Sequence, residues 1–259
     1  MFGRTSKSLG IGLRPQFSLI NSSNLLAQMP SAKLWYDFSS AGSTSYSPVP
    51  TTVVNGGSMT SAKDISGGNH NTNQVSNFKY ITNANGTLGA ANMGTGGYFN
   101  TNSTTSWLGN LSGMTVIIVC KPTTSMTTCY LCNTDQGDLQ IFYSSGAWKV
   151  KCSGGTGTSV VGLSLNTWQL HSFVYNGNGG TASQKLRYIY NKAEQPLTIS
   201  GTIATKSSGS NDNYVWGAQD ASSTNPFKGY IGEVFIFNKA LSSGEVTAIE
   251  AYLGTKWGI

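Results

Sequence analysis

Acidic side chains are the first place to look for bond-breaking chemistry, because glycoside hydrolysis pairs a proton-donating carboxyl with a second carboxyl that attacks or activates water. Only ten of the 259 residues are Asp or Glu. The nearest pair is Asp135 and Asp138, in a stretch with the composition of a turn between two strands. No Glu-x-Asp-x-x-Glu run and no Gly-x-Ser-x-Gly elbow occurs, and neither His70 nor His171 accompanies a nucleophile motif. We therefore expect no enzymatic activity.

Calcium is the metal that this composition could hold, since it prefers several oxygen ligands, usually with two or more carboxylates. Asp64 with Asn69, and Asp135 with Asp138, are spaced closely enough to share such a site. Asp and Asn are also among the commonest turn residues, so the same pairs fit ordinary loops. Calcium is thus a candidate ligand, and no other cofactor is expected.

Four cysteines leave three alternatives open. Cys129 and Cys132 have C-x-x-C spacing, and with Cys120 and Cys152 they could form a four-thiolate zinc site. All four lie in strand-like stretches, which favours reduced thiols that pack as small apolar side chains. A single disulfide is the third alternative.

Exposed aromatic rings and nearby polar groups are what a sugar site would need. The candidate glycan-binding residues are Tyr143, Trp148, Trp107, Asp135 and Asp138. Tyr143 and Trp148 should face each other across a tight turn, which makes them the favoured pair. Each aromatic residue is also a candidate for the core, because a β-sandwich must bury most of its large rings.

The elements that must position these side chains are β-strands. From Ala32 onward, β-branched and aromatic runs alternate with turns rich in Gly and Asn, whereas residues 39–95 give the weakest signal. The predicted strands lie near 33–38, 97–101, 113–121, 128–133, 138–143, 147–152, 168–175, 185–191, 197–204, 213–217 and 229–238. Many short strands without intervening helices predict an all-β fold, an antiparallel two-sheet sandwich of the jelly-roll type.

One amphipathic helix is predicted at the C-terminal end. Ser242 and Glu245 have the spacing of a capping box, and Leu241 with Val246 that of a hydrophobic staple. The apolar stripe that follows at helical spacing consists of Val246, Ile249, Leu253 and Trp257. Such a helix needs an apolar surface to cover.

Four stretches resemble a known family. They are AKLWYDFS (32–39), KDISGGNH (63–70), LSGMTVIIVCKP (111–122) and, most specific, GYIGEVFIFNKALSSGEVTAIEAYLGTKWGI (229–259). They resemble the concanavalin A-like lectin/glucanase superfamily, in the laminin-G-like branch common in tailed-phage structural proteins and bacterial surface proteins. The resemblance implies a two-sheet jelly roll with one concave face and a closing helix packed against it. It also implies glycan binding on that face or at the loop rim, sometimes with calcium, or binding of protein alone.

Residues 1–30 differ from the rest of the chain. They combine basic and isolated apolar residues without a period, and none of them is acidic. We divide the chain into an extended N-terminal arm, 1–30, and a jelly roll, 31–259. The arm is either a disordered leader or a docking segment that orders on a partner. The docking residues would be Phe2, Arg4, Lys7, Leu9, Ile11, Leu13 and Arg14.

Charge and hydropathy exclude two classes of partner. The net charge of +6 suggests nucleic acid, but only three residues are arginine and the lysines are scattered singly. No apolar run reaches 18 residues, so no membrane insertion is expected. The N-terminal region also lacks the apolar core of a secretion signal.

Together with the resemblance, these features predict a virion structural protein, a capsid decoration or short head or tail appendage. It would be assembled in the host cytoplasm and displayed on the virion surface. Residues 1–30 would dock on other virion proteins, with a homo-oligomer on the particle and a host-surface glycan as candidate ligand. The alternative is a cellular or secreted carbohydrate-binding module or lectin.

Overall fold

The structure is a computed structural model that describes residues 32–40, 55–59, 61–76, 79–94, 96–101, 105–134, 139–207 and 214–259. The N-terminal arm, Asp135 and Asp138 lie outside the described residues. The predicted fold class is confirmed: two antiparallel sheets form a sandwich with a helix at the C-terminal end.

The described residues form sixteen strands. In chain order these are β1 (Leu34–Asp37), β2 (Thr72–Ser76), β3 (Lys79–Asn85), β4 (Leu88–Asn92), β5 (Tyr98–Thr101), β6 (Gly113–Pro122), β7 (Thr128–Thr134), β8 (Leu139–Ser144), β9 (Ala147–Cys152), β10 (Gly155–Thr158), β11 (Gln169–Asn176), β12 (Leu186–Tyr190), β13 (Ala193–Gln195), β14 (Thr198–Ser200), β15 (Tyr214–Trp216) and β16 (Gly229–Phe237). A 3₁₀ turn (Thr105–Leu108), a one-turn helix α1 (Ala182–Lys185) and the C-terminal helix α2 (Ser243–Trp257) complete the elements.

Each sheet contains eight strands. Sheet I has the order β13-β12-β11-β6-β16-β4-β3, and β1 lies beside β16 in line with β4. Sheet II has the order β14-β10-β9-β8-β7-β15-β5-β2. The chain crosses from one sheet to the other at both margins, between β2 and β3 and between β13 and β14.

The outer strand at each margin is short or irregular. β13 and β14 have three residues each and are separated by Pro196 and Leu197. β2 and β3 are longer, but the register of each shifts along its pairing with the neighbouring strand. In β3 the shift includes Asn83, which has a positive φ.

Strand alternation explains how the core forms. The inner faces of both sheets contribute to one cluster that includes Tyr36, Phe99, Ile118, Phe173 and Trp216. Because side chains alternate along a strand, the residues between them point to the two outer faces. Which outer face is covered therefore decides where a ligand can bind.

Five strands were missed by sequence reasoning: β2, β3, β4, β10 and β13. β2, β3 and β4 lie in the region with the weakest signal, β10 reads Gly-Thr-Gly-Thr, and β13 has only three residues. In β4 a Cβ at Gly89 would overlap the Tyr80 ring. In β10 a Cβ at Gly155 would overlap Ile203. Glycine is found at these two positions because the side chain of another residue fills the space that a Cβ would need. Local strand propensity does not include such tertiary contacts.

Helix α2 begins where the capping box predicts. The Ser242 side chain accepts a hydrogen bond from the backbone of Glu245, and the Glu245 side chain accepts one from the backbone of Ser242. Gly258 ends the helix in the left-handed conformation. Among the described residues, no helix combines the length and hydropathy needed to span a bilayer.

Candidate binding surfaces

The outer face of sheet I is closed by α2. Val246, Ile249 and Leu253 of the helix are buried against a second apolar cluster on this face, which includes Trp35 and Phe235. Gly232 in β16 is adjacent to the Trp257 indole, and a Cβ at this position would overlap the ring. The helix thus occupies the middle of this face.

A buried charge cluster fixes the end of the helix. The Lys256 ammonium donates to Glu233 Oε2 at 2.8 Å and to Asp37 Oδ2 at 2.9 Å. Glu233 also accepts from Trp35 Nε1 at 2.9 Å and from Trp257 Nε1 at 3.1 Å. Glu233 is completely buried and Asp37 is 7% exposed, so these carboxylates are not available to a ligand.

The pKa values in this cluster reflect burial opposed by pairing. Burial raises the pKa of Glu233 to about 7, with the Asp37 carboxyl adding to the rise and Lys256 opposing it. Burial disfavours the charged form of Lys256, but Glu233 and Asp37 outweigh that effect and raise the pKa of Lys256. The cluster joins the first described strand, β16 and α2.

Each of the seven carboxylates among the described residues accepts at least one hydrogen bond from protein. Besides Asp37 and Glu233, Asp64 accepts three backbone bonds and Glu250 accepts from Ser172 at 2.6 Å. The remaining bonded acids are Glu194, Asp220 and Glu245. This part of the chain therefore uses its carboxylates to hold backbone, caps and lysines in place.

Asp64 organises one loop at the rim of the sandwich. Its Oδ1 accepts from the backbone N–H groups of Trp35 and Ser66, and its Oδ2 from that of His70 at 3.0 Å. Asn69, the predicted calcium partner of Asp64, has a positive φ and accepts from the Asn71 amide. No group of three or more His, Cys, Asp or Glu side chains is arranged to hold a metal within the described ranges.

The same rim contains Trp107. Its ring stacks on His70 with the centroids 4.1 Å apart, so the structure brings Trp107 beside the Asp64 loop. Burial lowers the pKa of His70, with Asp64 opposing the change. Thr134 and Leu139 flank Asp135 and Asp138 in the sequence, and they lie near the same loop. Thr134 pairs with Tyr214, whose backbone donates to Thr101, and Thr101 pairs with Thr72 just after the loop.

Tyr143 and Trp148 pair across the β8–β9 hairpin, as expected, with ring centroids 5.6 Å apart. Their location differs from what a sugar site needs. Trp148 is completely buried in the core and packs edge-on against His171 at 4.6 Å, so its indole has no surface for a ligand. Tyr143 is partly buried against the same core. The size of the ring explains the correction, since a sandwich fills its interior with large aromatics.

His171 is enclosed in a polar pocket of the core. Its Nδ1 is hydrogen-bonded to the Tyr188 hydroxyl at 2.8 Å, and its Nε2 lies 3.2 Å from Gln169 Oε1. Burial lowers the pKa of His171 to about 3, so the imidazole is neutral at physiological pH. His171 therefore packs in the core and is not accessible to a ligand.

The cysteines are free and buried, which agrees with the reduced alternative. Burial raises the pKa of both Cys129 and Cys132 to about 12. Burial also raises the pKa of Cys120. Thiols with such pKa values are poor nucleophiles and poor metal ligands.

Among the described residues no helix covers the outer face of sheet II, and two rows of mostly polar side chains cross several of its strands. Direct pairing gives one row of Ser200, Thr156, Lys151, Gln140 and Asn133. The next row consists of Thr198, Thr158, Lys149, Phe142 and Tyr130. We call these ten residues the lysine face.

Exposure changes along the lysine face. Thr198 and Ser200 are exposed, and Thr156, Thr158, Phe142 and the two lysines are intermediate. Gln140, Tyr130 and Asn133 are buried. On the buried side, the Asn133 amide donates to the backbone carbonyl of Gln219. The accessible part therefore lies on β8, β9, β10 and β14.

Sequence reasoning missed this face because lysines on an alternating strand are ordinary solvent-side residues. A signal was present in WKVKC, residues 148–152, where Trp148, Val150 and Cys152 point inward and Lys149 and Lys151 outward. The pairing of that strand with the hydroxyl residues of β10 was not visible, because β10 itself was missed.

Known proteins share the sequence pattern and the fold. Residues 92–247, more than half of the chain, match the laminin-G group of the concanavalin A-like lectin/glucanases superfamily. Domain 4 of an extracellular arabinanase from Geobacillus stearothermophilus, solved with arabinotriose, is 17% identical with a TM-score of 0.57, covering 85% of this chain and all of that one.

Two further structures show the same fold. The binding domain of botulinum neurotoxin serotype D is 14% identical with a TM-score of 0.51, covering 88% of this chain and 53% of that one. A sialidase from Trypanosoma rangeli is 12% identical with a TM-score of 0.53, covering 88% of this chain and 34% of that one. No curated protein sequence matches. The sandwich, the closing helix and the family match agree: this chain belongs to the concanavalin A-like lectin/glucanase superfamily.

Proposed function

We propose that this protein is a non-enzymatic, lectin-like binding module that holds a glycan on the outer face of sheet II. The observation that carries the proposal is the difference between the two outer faces. α2 covers sheet I, whereas on sheet II the hydroxyl groups of β10 and β14 and the two ammonium groups of β9 belong to side chains that are at least partly accessible. Such groups suit the hydrogen-bonding needs of a sugar.

The structural use of the described carboxylates supports a binding role over a catalytic one. A glycosidase of the usual kind needs two carboxyls flanking one bond. The closest described pair, Asp37 and Glu233, is buried beneath α2 and bonded to Lys256. The arabinanase domain that was solved with arabinotriose has the same fold, which supports glycan binding by analogy.

The test is binding of the full chain to a glycan array, with calcium and with chelator. We expect binding to at least one glycan class. Loss of signal in chelator would show that binding depends on calcium. Thr158→Tyr should weaken binding, because it adds a ring to the accessible part of the lysine face. The matched control Thr247→Tyr, on the exposed side of α2, should not. Silence for every glycan would contradict the proposal.

We further propose a setting for this module, the surface of a virion, with residues 1–30 as the docking arm. The support comes from the sequence: the arm combines basic and apolar residues and contains no acid, and the closing stretch resembles tailed-phage structural proteins. The partners would be other virion proteins and further copies of this chain. A cellular or secreted carbohydrate-binding module is the alternative.

Deleting residues 1–30 tests this setting. Particles assembled with the truncated protein should lack it, while the truncated protein should keep the thermal unfolding transition of the full chain. A second variant changes only Arg4, Lys7 and Arg14 to Gln. It should be incorporated into particles less well than the wild type if these cations meet an acidic surface. Normal incorporation of the truncated protein would contradict the docking role.

A further inference from the structure

The two lysines at the centre of the lysine face define its chemistry. Lys149 and Lys151 are two residues apart on β9, so their side chains leave the sheet on the same side, about 7 Å apart along the strand. Lys149 lies between Phe142 and Thr158, and Lys151 between Gln140 and Thr156. Each ammonium is therefore next to a hydroxyl that can donate to the same ligand.

Neither lysine has an ionic partner within the described ranges. The four ion pairs found there involve Arg187, Lys239 and Lys256, and none involves β9. Lys149 makes a cation–π contact instead, with its Nζ 6.0 Å from the centroid of the Phe142 ring. None of the ten residues of the lysine face is acidic. Among the described residues, these two lysines, both of intermediate burial, thus have no carboxylate partner.

We propose that the lysine face selects anionic saccharides, with Lys149 and Lys151 contacting two acid groups of one chain and Thr156 and Thr158 contacting its hydroxyls. This inference rests on the proposed function and adds the substrate class. Charge-assisted hydrogen bonds are about twice as strong as neutral ones, so the lysines would set both affinity and class.

The aromatic side of the face argues against nucleic acid as the polyanion. Tyr130 stacks on Phe142 with the centroids 5.0 Å apart and the rings nearly parallel. Lys149 approaches Phe142 from the other neighbouring strand, so both faces of this ring are occupied. Single-stranded nucleic acid binds through bases stacked on open aromatic faces, and this ring offers none.

The experiment compares the affinity of the full chain for a polyuronate with that for the same polysaccharide after carboxyl reduction. We expect the polyuronate to bind at least about tenfold more tightly, since one charge-assisted hydrogen bond accounts for about that factor. The double variant Lys149→Gln/Lys151→Gln should lose this preference. The variant Lys149→Arg/Lys151→Arg should keep it.

A matched control removes two lysines from the opposite face. Lys79 and Lys121 lie on the outer side of sheet I. They belong to one row across the sheet, in which Lys79 pairs with Asn92, Asn92 with Tyr230, and Tyr230 with Lys121. Lys79→Gln/Lys121→Gln makes the same change in net charge and should leave polyuronate binding unchanged. An equal loss in both double variants would mean a general charge effect and would overturn the proposal.

The remaining outcomes separate the two proposals. Equal affinity for the acidic and the reduced polysaccharide would overturn the anionic class and leave glycan binding intact. Failure to bind either, with silence on the array, would overturn the proposed function itself. A single-stranded oligonucleotide that binds as tightly as polyuronate and is displaced by it would identify a general polyanion surface, which also overturns selection of saccharides.

Discussion

The outer faces of the two sheets treat their charged groups in opposite ways. On sheet I, Lys256 is held between two buried carboxylates under α2, and the helix and strands share that one ammonium. On sheet II, Lys149 and Lys151 point away from the core without a carboxylate partner in the described region. The same side chain thus serves stability on one face and remains available on the other. Burial and partner, more than residue type, distinguish a structural lysine from a candidate ligand-binding one.

The largest expected effect comes from removing the buried ammonium. Lys256→Met leaves Glu233 and Asp37 as buried carboxylates with no cation beside them, which costs about 3–5 kcal/mol of unfolding free energy. Urea unfolding at pH 7.5 measures it. The control is Lys239→Met, which breaks the exposed pair with Glu245 and should cost about 0–1 kcal/mol. Similar losses in the two variants would erase the contrast between buried and exposed lysines.

The next largest change in stability is expected where α2 packs against β16. Gly232→Ala adds a methyl group against the Trp257 indole, and such overpacking costs about 1–3 kcal/mol. Gly244→Ala, in the first turn of α2 with open space around it, should instead stabilise by up to about 1 kcal/mol. Urea unfolding of both variants checks the signs, and near-ultraviolet circular dichroism of Gly232→Ala should report the moved indole. A neutral Gly232→Ala would mean that α2 is not held closely to sheet I.

The stretches that resemble the family predicted the fold, but they did not predict which contacts their residues make in it. Trp35 and Asp37 come from the first resembling stretch, and Glu233, Lys256 and Trp257 from the last. All five meet in one buried cluster, so the most specific part of the sequence reports how the helix is fixed. The lysines that we propose to bind a ligand come from a less distinctive stretch, WKVKC. Strand alternation predicts their side of the sheet, but their neighbours depend on pairing between distant residues, which no local pattern encodes.

The buried His171, between the two sheets, predicts that the unfolding free energy depends on pH, with an effect of intermediate size. The pKa of His171 falls from its ordinary 6.5 to about 3 on folding, so its contribution to stability is complete above pH 6.5 and is lost as the pH falls toward 3. The slope is at most about 1.4 kcal/mol per pH unit. Urea unfolding of the wild-type chain and of His171→Gln at several pH values should show that slope only in the wild type.

Glu233 supplies the opposite dependence, because its pKa rises from 4.5 to about 7 on folding. Its contribution is present below pH 4.5 and is lost as the pH rises through 7. Between pH 4.5 and 6.5 the two groups oppose each other, and His171→Gln should uncover a decline in stability with rising pH. If stability of the variant still falls on acidification over that window, another group governs it.

The smallest effect is expected on sheet II. Lys149→Gln/Lys151→Gln removes two ammonium groups without breaking an ion pair, so the unfolding free energy should stay within about 0.5 kcal/mol of the wild type. The same urea titration measures it. A loss of several kcal/mol would show that these lysines are structural, like Lys256, and would remove the contrast between the faces.

The margins of the two sheets bear on how crowded copies of this chain behave. An open strand edge is a template on which another chain can add a strand, and proteins block it with short strands, prolines, lysines or bulges. Here β13 and β14 are three residues long and adjoin Pro196, while β2 and β3 carry register shifts, with Lys79 exposed on β3. Each margin thus resists templated growth into fibrils, and many copies packed side by side would remain separate folded units.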